Sequence, residues 1–288
     1  MKNSFRLSQV NYERETEDQK VEVQKIFYLS VEGNVTEKEY FEGISRYRKQ
    51  LGINGIVDVK VLGRSSKDTN SAPKYVLELV EEFLRLRKLG NEGMIDEIPQ
   101  EFIDFYGEEF IRKYLTNPEK LSKVEKNKFV TDLRKIGYDI NYRKYLATYN
   151  HKSDEFGILI DRDKLTHSEK NMRDCINHCK QSKYQCYISN PCFEFWLLLH
   201  LSDVKEEYKH QMSEIQENKK VSKNHTFVSK EVSDKAHHKK GDINFKNNYL
   251  PNVDKAVERA KMFEGDEERL IDHIGCNLWK LIEILRNF

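Results

Sequence analysis

Asp161 and Asp163 flank an arginine directly after the apolar run FGILI (156–160), so two carboxylates fall where a buried strand would meet solvent. On extended backbone, residues two apart project to the same side, and like charges held that close repel unless a cation lies between them. Mg²⁺ suits such a pair, being an oxygen-seeking ion usually held by one or two carboxylates together with substrate phosphate; Mn²⁺ is the alternative ion. Glu32 stands at the end of another β-rich run, VQKIFYLSV (23–31), and Asn190 and Glu194 follow a third, YQCYIS (184–189). In open parallel sheets ligands collect at the carboxyl ends of strands, so all these groups can face one crevice. One or two divalent ions there would activate water and stabilise the leaving oxygen of an in-line phosphodiester displacement. That is nuclease chemistry.

Each candidate also has a plainer use. Glu32 before a glycine suits a solvated turn, and an isolated DxD is common on surfaces. Asn190 before Pro191 suits a helix cap, with or without a substrate contact. Glu194 sits among Phe193, Phe195, Trp196, Leu197, Leu198 and Leu199, where burying an acid without a partner is costly, which argues for a site role. His200, at the end of that apolar helix, either bonds phosphate or acts as a general acid, or it satisfies a terminal carbonyl. Cys175, His178 and Cys179 invite a zinc reading, but Met172, Cys175, Ile176 and Cys179 form one apolar helix face and there is no CxxC pair.

The elements that must position these groups alternate strand and helix. After the strand at 23–31, Thr36 and Glu39 have capping-box spacing, and Tyr40, Phe41, Ile44, Tyr47 and Leu51 share one helical face. A strand at 56–62 and a helix through KYVLELVEEFLRLRKL follow. Charged, Tyr-rich helical stretches from about 90 to 153 read as an insertion, followed by the strand at 156–160, a helix at 168–180, the strand at 184–189 and the apolar helix after Pro191. The pattern predicts an α/β fold, a largely parallel sheet covered by helices on both faces. Residues 21–202 would form this domain, 1–20 a polar arm, and 203–288 a helical C-terminal region packed on the same domain, with amphipathic segments near 252–264 and 268–286. Those segments offer apolar faces for self-association or for another chain.

With 49 Lys plus Arg against 48 Asp plus Glu, the net charge of +1 excludes a strongly basic nucleic-acid coat, so affinity for DNA or RNA must come from a local patch, a metal or a partner. The stretch 219–240 carries seven Lys against two acids, and Lys239 and Lys240 follow two histidines there; they suit a phosphodiester backbone or leaving-group charge, or else a solvated loop. Tyr and Phe in the insertion suit base stacking or helical packing, packing being the commoner use. No run suits a membrane span, no secretory leader is seen, and five cysteines without a framework spacing point to reduced thiols, so the cytoplasm is the expected compartment. There is no P-loop motif and no GxGxxG before a helix, which disfavours nucleotide hydrolysis by those routes.

Glu32 in VEGNVTE, Asp161 and Asp163 in LIDRDK, and the order of elements between them resemble a Toprim domain, the metal-binding fold of topoisomerases, primases and OLD-type nucleases. More closely, EGNVTEKEYF, the DRD motif, SNPCFEFWLLLH and NLWKLIEIL resemble the RloB family of bacterial defence proteins. The resemblance implies a Toprim-type nuclease acting in antiphage, abortive-infection defence, in a family often encoded beside an ATPase partner. It implies Glu32 as first-strand metal ligand, Asp161 and Asp163 as the acidic pair, Glu37 as a second acid just downstream, and Lys240 as a late lysine. Primase-like phosphoryl or nucleotidyl transfer uses the same carboxylates. The target, whether DNA, RNA or specifically tRNA, is not written in the acids, and a non-catalytic subunit binding nucleic acid or a metal-bound nucleotide is the competing reading.

Overall fold

The computed structural model describes residues 25–33, 35–55, 57–63, 72–148, 154–237 and 243–287. The polar arm at 1–20 and the lysines at 239 and 240 lie outside them. Two compact units divide the chain, and among the described residues the helical one takes 62–63 and 78–148 and the sheet unit takes the rest.

In the sheet unit, β1 (Lys25–Val31), β2 (Val57–Val61), β3 (Glu155–Asp161), β4 (Gln185–Asn190) and β5 (Gly275–Cys276) form one sheet in the order β2-β1-β3-β4-β5. The first four are parallel, and β5 joins β4 antiparallel. The fold is α/β, a mostly parallel five-stranded sheet with helices packed on it. β1 and β3 are apolar on both sides because helices cover both: α1 (Thr36–Arg46) and α8 (Phe193–Leu201) lie over Phe27, Leu29, Val31, Leu159 and Tyr187, while α7 (Glu169–Ser182) sets Cys179 against Cys186, the neighbour of Tyr187 on the opposite side of β4. All five thiols are free and buried, and Cys175 and Cys179 share the apolar face of α7 with Met172 and Ile176.

The sequence FEFWLLLH has no polar stripe, and α8 is accordingly enclosed: seven of its nine residues are buried. Around it Tyr40 gathers Phe41, Phe193, Trp196, His200, Phe245 and Tyr249, mostly edge to face. The later helices α9 (Val204–Glu207), α10 (Met212–Glu217), α11 (Phe227–Ala236), α12 (Val253–Ala260) and α13 (Leu278–Arg286) belong to this unit, with α11 and α12 against α8 and α13 against β4.

Three local expectations are corrected. Thr36 is the first residue of α1 and not its cap, which is Val35 with no side-chain bond, so the Thr36/Glu39 box does not form. Asn190 does not cap α8: Cys192 is extended and holds that position, and Pro191 precedes it. The segment 268–286 is not one helix. A 3₁₀ turn at Arg269–Ile271 and the strand β5 precede α13. Gly275 explains the strand's sequence, because a Cβ there would run into the backbone carbonyl of Glu264. Gly275→Ala is therefore expected to lower stability by about 1–3 kcal/mol, measured by urea unfolding.

The helical unit takes α2 (Pro73–Gly93) from Glu78 onward, then α3 (Gln100–Tyr106), α4 (Glu108–Thr116), α5 (Lys123–Lys135) and α6 (Ile140–Thr148). Its own core joins Ile95, Ile111, Leu115, Phe129, Leu133 and Tyr138. Ser122 and Glu125 start α5 with a reciprocal capping box. Buried Arg143 pairs with Glu82 at 2.6 Å and lies over the Tyr138 ring. Tyrosine and phenylalanine thus serve mainly as packing here.

Candidate metal centre at the strand ends

Parallel pairing in register, Val31 with Leu159 and Asp161 with Ser189, brings the carboxyl ends of β1, β3 and β4 side by side. Asp161 ends β3, partly buried. Glu32 follows β1, and its carboxylate accepts a hydrogen bond from the Asp161 backbone N–H at 3.2 Å. Glu37, buried in the first turn of α1, accepts from the Gly33 N–H at 3.1 Å. Glu194, in the first turn of α8, hydrogen-bonds the Cys192 thiol.

These acids meet on Asp161. Its carboxyl is held well above the ordinary carboxylate range, first by burial and then by the negative charges of Glu32, Glu37 and Glu194, while the Phe193 N–H at the start of α8 favours the ionised form. The same burial, with the charges of Glu194 and Asp161, pushes the Cys192 thiol far up. Three elements of distant sequence therefore concentrate negative charge at one point.

Asp163 is placed differently. β3 ends at Asp161, the Arg162 N–H still bonds the Ser189 carbonyl, and the Asp163 carboxylate accepts from the Leu165 N–H at 2.9 Å, while its carbonyl accepts from the Thr166 and His167 N–H groups. Asp163 thus builds the turn after β3.

Asn190 is fully buried, donates from Nδ2 to the Leu270 carbonyl at 2.7 Å, and leaves Oδ1 without a partner among the described residues. It ties β4 to the C-terminal segment. His200 is buried too, with Nδ1 donating to the Trp196 carbonyl at 2.9 Å and Nε2 3.1 Å from the Tyr40 hydroxyl. Burial pushes its pKa down to about 3. Both ring nitrogens are engaged inside the aromatic cluster, so His200 is a neutral core residue, contrary to the expected phosphate contact. Lys239 and Lys240 fall outside the described residues.

Two groups that the acid motif overshadowed hold this centre together. Arg162 is buried between the two aspartates of the motif; its Nε donates to the Ile271 carbonyl at 2.7 Å and its Nη1 to the His167 carbonyl at 2.8 Å. His167, also buried, donates from Nδ1 to the Asp161 carbonyl at 3.0 Å and brings Nε2 to 3.6 Å from the Glu32 carboxylate. An arginine inside an acidic motif reads naturally as a solvated charge. Only the two carbonyls that it meets mark it as structural.

The donor set is all oxygen, four carboxylates of which one is forced toward its protonated form, and that is chemistry a hard divalent cation relieves. Among the described residues no group of three or more His, Cys, Asp or Glu stands ready as a metal cage. Mg²⁺ does not need one, since it commonly takes one or two carboxylates and completes its shell with water and phosphate. The residues fit such an ion.

Fold and site together define an α/β protein with a carboxylate cluster at the carboxyl ends of a parallel sheet. The chain belongs to the RloB-like family: a family model described as RloB-like protein matches residues 27–285. No curated protein and no solved structure matches it. Among the described residues no helix is long and apolar enough to cross a membrane.

Proposed function

We propose that this protein is a metal-dependent nuclease whose centre is the cluster around Asp161. The observation that carries the reading is the raised Asp161 carboxyl, pressed by Glu32, Glu37 and Glu194 from neighbouring strand ends. Glu32 and Asp161 would hold Mg²⁺ or Mn²⁺, with Glu37 and Glu194 completing the negative wall and Asp163 fixing the loop beside it. When bound, such an ion supplies positive charge against phosphoryl oxygens and makes water more acidic. Hydrolysis joins a water oxygen to phosphorus, breaks one P–O ester bond and delivers a proton to the departing oxygen. Glu194, which is not assigned to the ion, would be the group to exchange those protons. Family membership supports a role in antiphage defence beside an ATPase partner, and the near-neutral charge of the chain suits an enzyme that a partner gates.

The test incubates the purified full chain with plasmid, single-stranded DNA, total RNA and tRNA in Mg²⁺, Mn²⁺ or EDTA, with and without the candidate ATPase. Cleavage by wild type that needs metal and disappears in Asp161→Ala is the expected result. Metal-independent cleavage, or full activity in Asp161→Ala, defeats the reading. A second reading is a non-catalytic subunit that binds nucleic acid or a metal-bound nucleotide. Defence that survives in acid-to-alanine variants would select it.

Gly33 offers a finer probe. A Cβ at this position would occupy the space of the Glu37 carboxylate, the mobile end of a side chain, so Gly33→Ala should displace the acid while leaving the fold intact. The expected outcome is a Tm close to that of wild type with Mn²⁺ affinity reduced about tenfold by calorimetry, reflecting roughly 1.4 kcal/mol of lost interaction.

A further inference from the structure

The helical unit carries a groove that neither the acidic centre nor the family assignment accounts for. It is an open cavity of about 740 Å³ between α4, α5 and α6, walled by Lys126, Arg134, Lys144, Tyr114 and Tyr145 among others, with no carboxylate in its lining. That volume lies within the usual range for small-ligand sites of about 300–1,000 Å³. Three cations share this wall although the chain's net charge is only +1. They come from a locally basic stretch: residues 110–148 hold ten Lys and Arg against four Asp and Glu.

The surrounding acids leave the wall positive. Asp139 is 3.8 Å from one Arg134 nitrogen, and Glu119 acts on Lys144 through its charge alone. The Lys126 ammonium has no hydrogen-bond or ion-pair partner among the described residues. Lys144 is fixed, donating to the Tyr114 carbonyl at 2.8 Å with its ammonium 4.9 Å from the Tyr114 ring centre. Tyr145 stacks against Tyr142 and adds an aromatic ring to the same wall. Fixed and free cations beside an aromatic ring are what a backbone-tracking, base-stacking site requires.

We propose that this groove binds the phosphate chain of single-stranded nucleic acid, with Lys126, Arg134 and Lys144 on phosphates and an unpaired base against Tyr145. It deepens the nuclease reading by naming how a near-neutral chain grips a polyanion, and it rests on that reading only for the purpose of the grip.

The test is anisotropy of short fluorescein-labelled single-stranded DNA and RNA with the full-length protein in EDTA, across a salt series. Wild type should bind, and Lys126→Gln/Arg134→Gln should bind at least about tenfold more weakly, with a salt slope shallower by roughly 1.4, about 0.7 for each phosphate no longer neutralised. Arg112→Gln/Lys113→Gln, on exposed α4 ion pairs, should leave both unchanged. Absence of wild-type binding, or an unaltered affinity and slope in the groove variant with its circular dichroism intact, overturns the proposal. So does equal displacement by AMP at matched nucleotide concentration, which would make the occupant a free nucleotide, or equal binding of duplex. The two readings fail separately. Asp161→Asn should bind as wild type does in EDTA and not cleave; cleavage with normal binding in the groove variant would remove the groove and spare the acidic centre, and binding with no cleavage under any condition would do the reverse.

Discussion

Replacing Asp161 with asparagine is expected to abolish metal-dependent cleavage and, at neutral pH, to raise the Tm of the metal-free protein. The first effect follows if the carboxylate holds the ion, since losing several kcal/mol of charge stabilisation in the transition state lowers the rate about a thousandfold. The second follows from linkage. The folded carboxyl has its pKa raised by burial and by Glu32, Glu37 and Glu194, so the folded chain holds the proton more tightly than the unfolded chain does. Stability contributed by this group is therefore full below the unfolded value of about 3.9 and is lost as pH climbs toward the folded value. Asparagine resembles the protonated acid and escapes that loss. Melting curves should thus separate above pH about 4, with the variant higher, and converge below it. Mg²⁺ or Mn²⁺ should raise the Tm of wild type and not of the variant. Parallel pH profiles for the two proteins would show that Asp161 is not under electrostatic pressure, and the metal centre would lose its main support.

Arg162→Ala should be the most destabilising single change in the acidic motif, about 3 kcal/mol by denaturant unfolding, because it leaves the Ile271 and His167 carbonyls buried without their charged donor. Arg162→Lys should recover little. One ammonium does not reproduce a planar fork reaching two carbonyls on different segments. Activity should fall with stability, since the loop that loses its anchor carries His167, whose ring bonds the Asp161 carbonyl. A stable Arg162→Ala protein would mean that water replaces both donors and that the loop is held otherwise.

The alternation of strands and helices is readable because apolar runs such as FGILI and KIFYLSV end in acids or glycine at their solvent boundary, and α8 because eight consecutive residues lack a polar stripe. The strand ends that carry Glu32 and Asp161 follow from the same runs. What stays hidden depends on groups distant in sequence. β5 is two residues long and owes its existence to β4 and to Glu264, which no local pattern announces. His200 looks reactive because a histidine's chemistry is visible in its letter, whereas the Tyr40 hydroxyl that occupies it is 160 residues away. The part Asp163 plays in its loop is hidden because the Leu165, Thr166 and His167 N–H groups that it accepts are brought to it only by the turn that follows. Basic residues of α5 and α6 are diluted by the acidic start of the insertion, so their shared groove emerges only from the folded helices.

The clasp between the strand-end loop and the C-terminal segment sets an order of events during synthesis. Arg162 and Asn190 find their acceptors on Ile271 and Leu270, and β4 gains its edge partner only at Gly275–Cys276. A ribosome that has translated every acidic residue of the centre has still not made the residues that hold those acids in place, so a nascent or prematurely terminated chain carries the acids without their frame. The frame of the acidic centre is complete only once residue 276 has been made, so its assembly follows chain order.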